Sequence, residues 1–247
     1  MFLKPYQAPV FDIATLHQLG EKNRESYSRA SPFKHIVLDD FLPPKQANQA
    51  LRDFPNTESN IWLDWRRRNT INQPKKQGIG HASRLNGVSS CLVNLLNSFN
   101  SYPFLNFLEQ LTGIEKLLPD PYLHGGGPHQ ILNGGKLDIH CDFNHLKDLD
   151  LYRRINVLYY LNKNWKDEYH GHLELWSNDM KRREKTISPT FNRLVIFDTD
   201  KSSFHGHPTP LELPPNITRK SIALYYYTAR PVKDGHYDTK TDWQETT

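Results

Sequence analysis

Cysteine and long apolar runs are both scarce in this 247-residue chain. Its two cysteines, Cys91 and Cys141, are too few for a disulfide framework, so we expect a reducing compartment, with the cytoplasm as the default. No window approaches the roughly 18 consecutive apolar residues of a membrane span, and residues 1–10 lack the apolar core of a signal peptide. The sequence therefore predicts no membrane partner.

A strong charge of either sign is also absent. The formal net charge is +4, with basic clusters at Arg66 to Arg68 and Lys181 to Lys185. Neither cluster continues into a motif that reads bases, and such runs are more often solvated loops. We therefore expect no nucleic-acid partner, and the sequence does not indicate an oligomeric state.

Aromatic residues make up 12% of the chain, and its apolar content lies in rings and β-branched runs. Helical spacing occurs at residues 13–19, 46–54, 88–99 and 103–111, with a β-type run at 35–41. After Pro119, turns rich in Gly and Pro separate β-type runs at residues 130–132, 137–141, 154–161, 172–176, 193–197 and 219–228. This order predicts a mainly β protein with flanking helices, either a sandwich or a barrel.

The same pattern divides the chain into three regions within one structural domain. We expect an N-terminal strand and helical support at residues 1–118, a β core at 119–231 and a loose polar tail at 232–247. Residues 56–80 are polar and contain Pro and Gly, which predicts a long loop able to cover a site.

The stretch from Gly134 to Asp142 ends in the pair His140-x-Asp142. Residues two apart on a strand project from the same face, so an imidazole and a carboxylate would be presented together, as metal ligands are. Such a pair arises about once by chance in a chain of this composition, and a second one occurs at His236 and Asp238. No histidine follows the second pair, which lies in the polar tail, so we expect it to bind no metal.

A third ligand for the first pair is expected from another strand. His205 and His207 both follow an apolar run, at positions of the same strand parity. Either would complete a set of two histidines and one carboxylate, which leaves three positions of an octahedral iron open for a co-substrate and dioxygen.

An alternating strand then begins at Arg219. Arg219 and Ser221 share one face under period 2, so a guanidinium and a hydroxyl would hold the far carboxylate of a dicarboxylic acid that chelates the metal. The pair at His236 has no such partner.

These residues resemble the iron(II) and 2-oxoglutarate dependent dioxygenases of the prolyl hydroxylase type. The likeness spans roughly residues 125–230. It is carried by Gly134-Gly135-x-Leu137-x-x-His140-x-Asp142, by RRINVLYYLNKNW at 153–165, by Gly171-His172-Leu173-Glu174-Leu175, by Phe204-His205-Gly206 and by Thr218-Arg219. Each piece is common, whereas their order and spacing are specific.

The resemblance implies a double-stranded β-helix, or jelly roll, in which His140, Asp142 and His205 bind Fe(II) and act as the catalytic centre. His205 is preferred over His207 because the family has Phe-His-Gly there. Arg219 is implied to pair with the 5-carboxylate of 2-oxoglutarate, and Tyr160 to hydrogen-bond the same group. Ascorbate is an optional further cofactor.

The implied reaction hydroxylates a C–H bond with dioxygen and releases succinate and carbon dioxide. The substrate is a prolyl residue in a peptide or protein, a free amino acid or another small metabolite, and the sequence leaves this choice open. Related halogenases have a small residue in place of the carboxylate, so Asp142 favours hydroxylation.

Two positions depart from the family pattern. Many members have a tyrosine two residues before the Gly-Gly, where this chain has Leu132. The contact of that tyrosine with the co-substrate is therefore missing here, or it is supplied by Asn156, which shares a strand face with Tyr160. His172 stands where a second glycine is usual.

Two other functions remain open. A non-redox, cupin-like metal enzyme would use the same three ligands without needing Arg219. A catalytically silent barrel would act as a binding module, for example for nucleic acid at Arg66 to Arg68. Succinate formation from 2-oxoglutarate distinguishes the oxygenase from both.

Overall fold

The computed structural model describes residues 11–63, 71–233 and 235–244. Four α-helices lie in the first half of the chain: α1 (Ile13–Ser28), α2 (Pro44–Arg52), α3 (Ser90–Phe99) and α4 (Tyr102–Thr112). Side chains and backbone geometry fix their ends. The Asp12 carboxylate accepts a hydrogen bond from the Thr15 N–H at 2.8 Å, and α4 ends at Gly113, whose φ of 74° suits a residue without a Cβ.

The described residues also contain three short 3₁₀ helices, Ala82–Gly87, Lys147–Leu149 and Asp167–Tyr169. Their strands are β1 (His35–Leu38), β2 (Lys76–Gly78), β3 (Leu118–Pro119), β4 (Gly127–Ile131), β5 (Leu137–Cys141), β6 (His145–Leu146), β7 (Leu151–Tyr160), β8 (Leu173–Trp176), β9 (Arg183–Ile187), β10 (Arg193–Asp198), β11 (His205–His207), β12 (Arg219–Thr228) and β13 (Asp242–Trp243). Among these residues, no helix has the length and apolarity needed to cross a bilayer.

The strands form two antiparallel sheets. The larger has eight strands in the order β1-β10-β7-β12-β4-β2, with β3 beside β12 and β6 beside β7. The smaller has five strands in the order β13-β5-β11-β8-β9. Most neighbouring strands are not consecutive in the chain, as in a Greek-key arrangement. The prediction of a mainly β, double-stranded β-helix (jelly roll) with helical support is confirmed.

The larger sheet buries both of its faces. Tyr159 and Tyr226 point outward to the helices, where their rings lie 5.9 Å from those of Phe99 and Phe104, respectively. On the opposite face, Tyr160 belongs to an apolar cluster shared with residues of the smaller sheet. Alternation along each strand therefore separates a helix-packed core from the space between the sheets.

The C-terminal segment is not the loose tail that its polar composition predicts. Asp242 and Trp243 pair with Cys141 and His140 at the edge of β5. A two-residue strand carries no periodic signal, but an exposed sheet edge offers backbone groups to which such a segment can bind.

Asn144 anchors the same segment further along. Its Nδ2 donates to the His236 carbonyl at 2.9 Å, its Oδ1 accepts from the Asp238 N–H at 2.7 Å, and its own N–H donates to the Asp238 carbonyl at 3.0 Å. The backbone of the second His-x-Asp pair is thus hydrogen-bonded to Asn144, which lies shortly after β5, so the pair helps to hold this segment in place.

Part of the predicted loop at residues 56–80 is a strand, because Lys76–Gly78 pairs with β4. Arg66 to Arg68 and the first ten residues lie outside the described residues, so the loop's covering role stays a prediction. The division of the chain into three regions, with boundaries after residues 118 and 231, also stays a prediction. β1 and β2, from the N-terminal region, join the larger sheet.

Candidate active site

His140 and His205 lie on neighbouring antiparallel strands and are direct cross-strand partners. Gly206 permits this close approach, because a Cβ there would lie 2.7 Å from the Asp138 carbonyl oxygen. Asp142 follows His140 on the same side. One ligand atom from each of His140, Asp142 and His205 lies within 4.8 Å of the others, and no other such group occurs among the described residues.

The two imidazoles are oriented for a shared ligand. Nδ1 of His140 donates to the Asp138 carbonyl and Nδ1 of His205 to the Ser203 carbonyl, both at 2.8 Å. Each Nε2 is therefore left with its lone pair, and each lies 3.5 Å from an oxygen of Asp142. Burial, with a contribution from His205, lowers the pKa of His140, which favours the neutral form that binds metal.

Asp142 is held by two side chains from β7. Its Oδ2 accepts hydrogen bonds from Arg153 Nη2 at 2.8 Å and from Asn156 Nδ2 at 2.7 Å, and Arg153 Nε donates to Asn156 Oδ1 at 2.7 Å. Burial alone would raise the pKa of Asp142, but the Arg153 guanidinium holds it well below its usual range. The carboxylate is thus ionised and fixed in direction.

Arg219 and the three candidate ligands line one cavity, and Arg219 lies at its buried end. Its Nε donates to the Gly171 carbonyl at 2.6 Å, and its Nη2 lies 3.3 Å from the Tyr160 hydroxyl. Gly171 has a φ of 69°, and a Cβ there would collide with Leu211 and lie 3.0 Å from Arg219 Cδ. A glycine is therefore required where Arg219 passes.

Tyr160 and Ser221 face each other across β7 and β12. Both are buried, and Ser221 shares the inward face with Arg219. Burial raises the pKa of Tyr160, so its hydroxyl stays protonated and able to donate a hydrogen bond. A guanidinium and two hydroxyls therefore converge at this end, which is a donor set suited to a carboxylate.

One cavity of about 180 Å³ connects the two ends. Every site residue predicted from the sequence lines it: His140, Asp142, Asn156, Tyr160, His205, Arg219 and Ser221. Asn156 contacts Asp142 rather than Arg219, so its predicted role as a co-substrate contact stays a prediction.

His207 also lines the cavity but lies outside the ligand group. Neither of its buried ring nitrogens has a hydrogen-bond partner among the described residues. Burial, with Arg219 and Lys76 nearby, lowers the pKa of His207 well below its usual range, so the ring is neutral. The geometry therefore favours His205 over His207 as the third ligand and leaves His207 facing the space for a co-substrate.

Lys76, Arg153, Tyr225 and Trp243 are among the cavity-lining residues that sequence reasoning missed. The sequence predicts only packing for Tyr225, yet its ring centroid lies 3.5 Å from the Arg153 guanidinium carbon. The Trp243 ring lies 4.7 Å from that of His140. Only the basic character of Arg153, directly before the β-type run at 154–161, could have pointed to it, since a buried cation needs a partner.

Two histidines and a carboxylate on adjacent strands of a jelly roll, with a buried arginine across the cavity, have the arrangement used by mononuclear metal oxygenases of the facial-triad type. Residues 127–227 match the model of the 2OG-Fe(II) oxygenase superfamily. This segment is therefore similar to that superfamily, and the fold of the chain is similar to that of a prolyl hydroxylase.

Solved structures share this fold at low sequence identity. A prolyl hydroxylase from Trichoplax adhaerens is 19% identical, with 87% of this chain and 91% of that chain covered and a TM-score of 0.52. A prolyl 4-hydroxylase from Phytophthora capsici is 18% identical, with coverage of 92% and 68% and a TM-score of 0.56. HygX from Streptomyces hygroscopicus, solved with nickel and 2-oxoglutarate, is 11% identical, with coverage of 86% and 93% and a TM-score of 0.53.

Proposed function

We propose that this chain hydroxylates a C–H bond of an organic substrate, using iron(II), 2-oxoglutarate and dioxygen and releasing succinate and carbon dioxide. The observation that carries the proposal is a single cavity with a three-ligand metal group at one side and Arg219 at its buried end. A cupin-like, non-redox enzyme would need the first feature only. A silent binding module would need neither.

The residues present fit an iron ion. His140 and His205 would bind it through Nε2 and Asp142 through a carboxylate oxygen, a donor set suited to iron(II). When bound, the iron activates dioxygen for attack on the substrate. Arg153 and Asn156 fix the orientation of the Asp142 carboxylate by donating hydrogen bonds of 2.8 and 2.7 Å to its Oδ2.

The residues at the buried end fit 2-oxoglutarate. Arg219 would pair with its 5-carboxylate, the Tyr160 hydroxyl would donate to the same group, and Ser221 would add a second hydroxyl. The ring nitrogens of His207, which lack partners among the described residues, face the same space. Leu158 and Leu173 add apolar side chains to the lining of the cavity.

The substrate is a prolyl residue of a peptide or a small amino-acid-like metabolite. The Trichoplax prolyl hydroxylase was solved with a peptide fragment of the hypoxia inducible factor oxygen degradation domain, which supports a peptide. Ascorbate is proposed only as an optional cofactor. A cytoplasmic location is proposed because both cysteines are free and few.

The test begins without oxygen. Protein with ferrous iron should develop a visible charge-transfer band when 2-oxoglutarate is added, and exposure to air should then yield succinate. Zinc or manganese that supports turnover of another substrate, with no band and no succinate, would indicate the cupin-like alternative. Salt-dependent nucleic-acid binding without either signal would indicate the binding module.

A further inference from the structure

The charged side chains that line the cavity are unbalanced. Among the described residues they are three cations, Lys76, Arg153 and Arg219, and one carboxylate, Asp142. Buried charge is costly unless it is paired, so an excess of one sign in a closed cavity indicates a ligand of the opposite sign.

Two of the three cations have roles in the proposed function. Arg153 forms an ion pair with Asp142 at 2.8 Å, and Arg219 is assigned to 2-oxoglutarate. Lys76 has neither role. Its Nζ bonds to the neutral Gln73 Oε1 at 3.1 Å and forms no ion pair with a carboxylate of the described residues.

Lys76 enters the cavity from its outer side. β2 pairs with β4 so that Lys76 lies opposite Ile131, which also lines the cavity. Lys76 and Gln73 are partly exposed, as are Phe143 and Trp243. Arg219 also lies opposite Ile131, but it lies on the inner neighbour β12 and is buried, whereas Lys76 lies on the edge strand β2. The partly exposed side at the sheet edge is therefore the mouth of the cavity, where a substrate enters after 2-oxoglutarate has bound, and Lys76 lies on this side.

Binding of metal and co-substrate does not remove this excess. The two positive charges of iron(II) and the two negative charges of 2-oxoglutarate cancel formally, and Arg153 offsets Asp142. Two positive charges remain among the residues that line the cavity, on Arg219 and Lys76. An anionic group on the next ligand would reduce this charge, whereas a cationic ligand would increase it.

We propose that the primary substrate is an organic acid and that Lys76 binds its carboxylate at the mouth of the cavity. This inference rests on the proposed function, because it needs the metal and 2-oxoglutarate in place. It names the substrate's chemical class, a small carboxylic acid with the oxidised C–H bond directed toward the metal.

The state of Lys76 agrees with an absent partner. Burial lowers its pKa to about 8, with Asp142 opposing the effect and Arg153 and Arg219 adding to it. The amine is still mostly protonated at neutral pH. A carboxylate beside it would stabilise the charged form, so substrate binding and protonation of Lys76 favour each other.

The experiment compares acids with their amides. The anaerobic protein with iron(II) and 2-oxoglutarate is titrated with L-proline and L-prolinamide, with N-acetyl-L-proline and its amide, and with N-acetyl-L-leucine and its amide. The shift of the charge-transfer band gives each dissociation constant. We expect at least one acid to bind about tenfold or more tightly than its amide, the usual range for a charge-assisted hydrogen bond.

Variants assign the preference to one ammonium. Lys76→Met keeps the aliphatic length and should abolish the acid preference, whereas Lys76→Arg should keep it. Lys75→Met is the matched control, because Lys75 is the exposed neighbour whose Nζ bonds to the Asn133 carbonyl at 2.8 Å outside the cavity. The control should behave as the parent protein does.

The proposal is overturned if no acid binds better than its amide, or if the preference survives in Lys76→Met. It is also overturned if Lys76→Met weakens 2-oxoglutarate binding and leaves the preference intact, since Lys76 would then serve the co-substrate. Failure of the proposed function looks different, because no band forms with 2-oxoglutarate at all. Calorimetric titration of the same iron-loaded protein with the six probes then tests the acid preference separately.

Discussion

The outward face of β7 and β12 carries Tyr159 and Tyr226, whereas the inward face of the same two strands carries Tyr160 and Arg219. Both faces are buried, with exposures of 0% for all three tyrosines and 5% for Arg219. The outward tyrosines pack on helical phenylalanines, and the Tyr226 hydroxyl is satisfied by the Phe99 carbonyl at 2.9 Å. The inward side chains instead end at a cavity.

The difference shows how one pair of strands provides both stability and chemistry. Polar groups on the outward face have protein partners, as burial requires. On the inward face, Arg153 keeps a guanidinium nitrogen without a partner among the described residues, and across the cavity His207 of β11 keeps both ring nitrogens without one. Such groups are costly in a closed core, so they mark the face on which ligands are expected.

The largest expected effect is on the inward side. His140→Ala removes one of three metal ligands and should reduce succinate formation by roughly three powers of ten or more. Iron content and turnover are measured together. His236→Ala, in the second His-x-Asp pair, is the matched control and should keep full activity. Comparable turnover in the two variants would contradict the assignment of the metal centre.

The outward face is tested by Tyr226→Ala. Loss of a fully buried ring should destabilise the protein by about 3–5 kcal/mol, measured by denaturant unfolding. The exposed Tyr102→Ala should change stability by no more than about 0.5 kcal/mol. The KM for 2-oxoglutarate should be unchanged in folded Tyr226→Ala. A raised KM would show that the two faces are not functionally separate.

Arg219→Ala should raise the KM for 2-oxoglutarate about tenfold to a hundredfold, because a charge-assisted pair is lost. Iron affinity without 2-oxoglutarate should change little. The neighbouring Lys220 bonds through Nζ to Thr218 at 2.7 Å and does not line the cavity, so Lys220→Met is the control. An unchanged KM in Arg219→Ala would refute its role as the anchor.

Asn156→Ala sharpens the assignment within the inward face. If Asn156 acts through its 2.7 Å hydrogen bond to Asp142, iron affinity should fall by about tenfold, the lower end for the loss of a partner of a metal ligand. If it contacts the co-substrate instead, the KM for 2-oxoglutarate should rise and iron affinity should not fall. Calorimetric metal titration and steady-state kinetics distinguish the two outcomes.

Local periodicity was sufficient for much of this site. Period 2 placed His140 beside Asp142 and Arg219 beside Ser221, and β5 and β12 have the predicted bounds of residues 137–141 and 219–228. Side-chain alternation is a property of the strand itself, so it can be read without knowing the partner strand.

The same rule failed at Arg153. Alternation counted back from Asn156 puts Arg154 on the inward face. A bulge between the partners of Tyr226 and Tyr227 shifts the register, so Arg153 points inward and is 1% exposed. A bulge arises from pairing with the neighbouring strand and has no marker in the sequence of β7 alone.

By itself, the sequence predicted a mainly β fold, the candidate pair His140 and Asp142, a third histidine and the arginine that follows, because these predictions depend on local period and chain order. The resemblance to a known family then favoured a jelly roll and His205 over His207. Tertiary structure alone decided that Arg153 holds Asp142, that Trp243 lies against His140 and that Lys76 reaches the cavity mouth. Lys76 and Trp243 come from short edge strands far along the chain from the metal strand. Their positions depend on backbone pairing between distant segments, which no local pattern of side chains encodes.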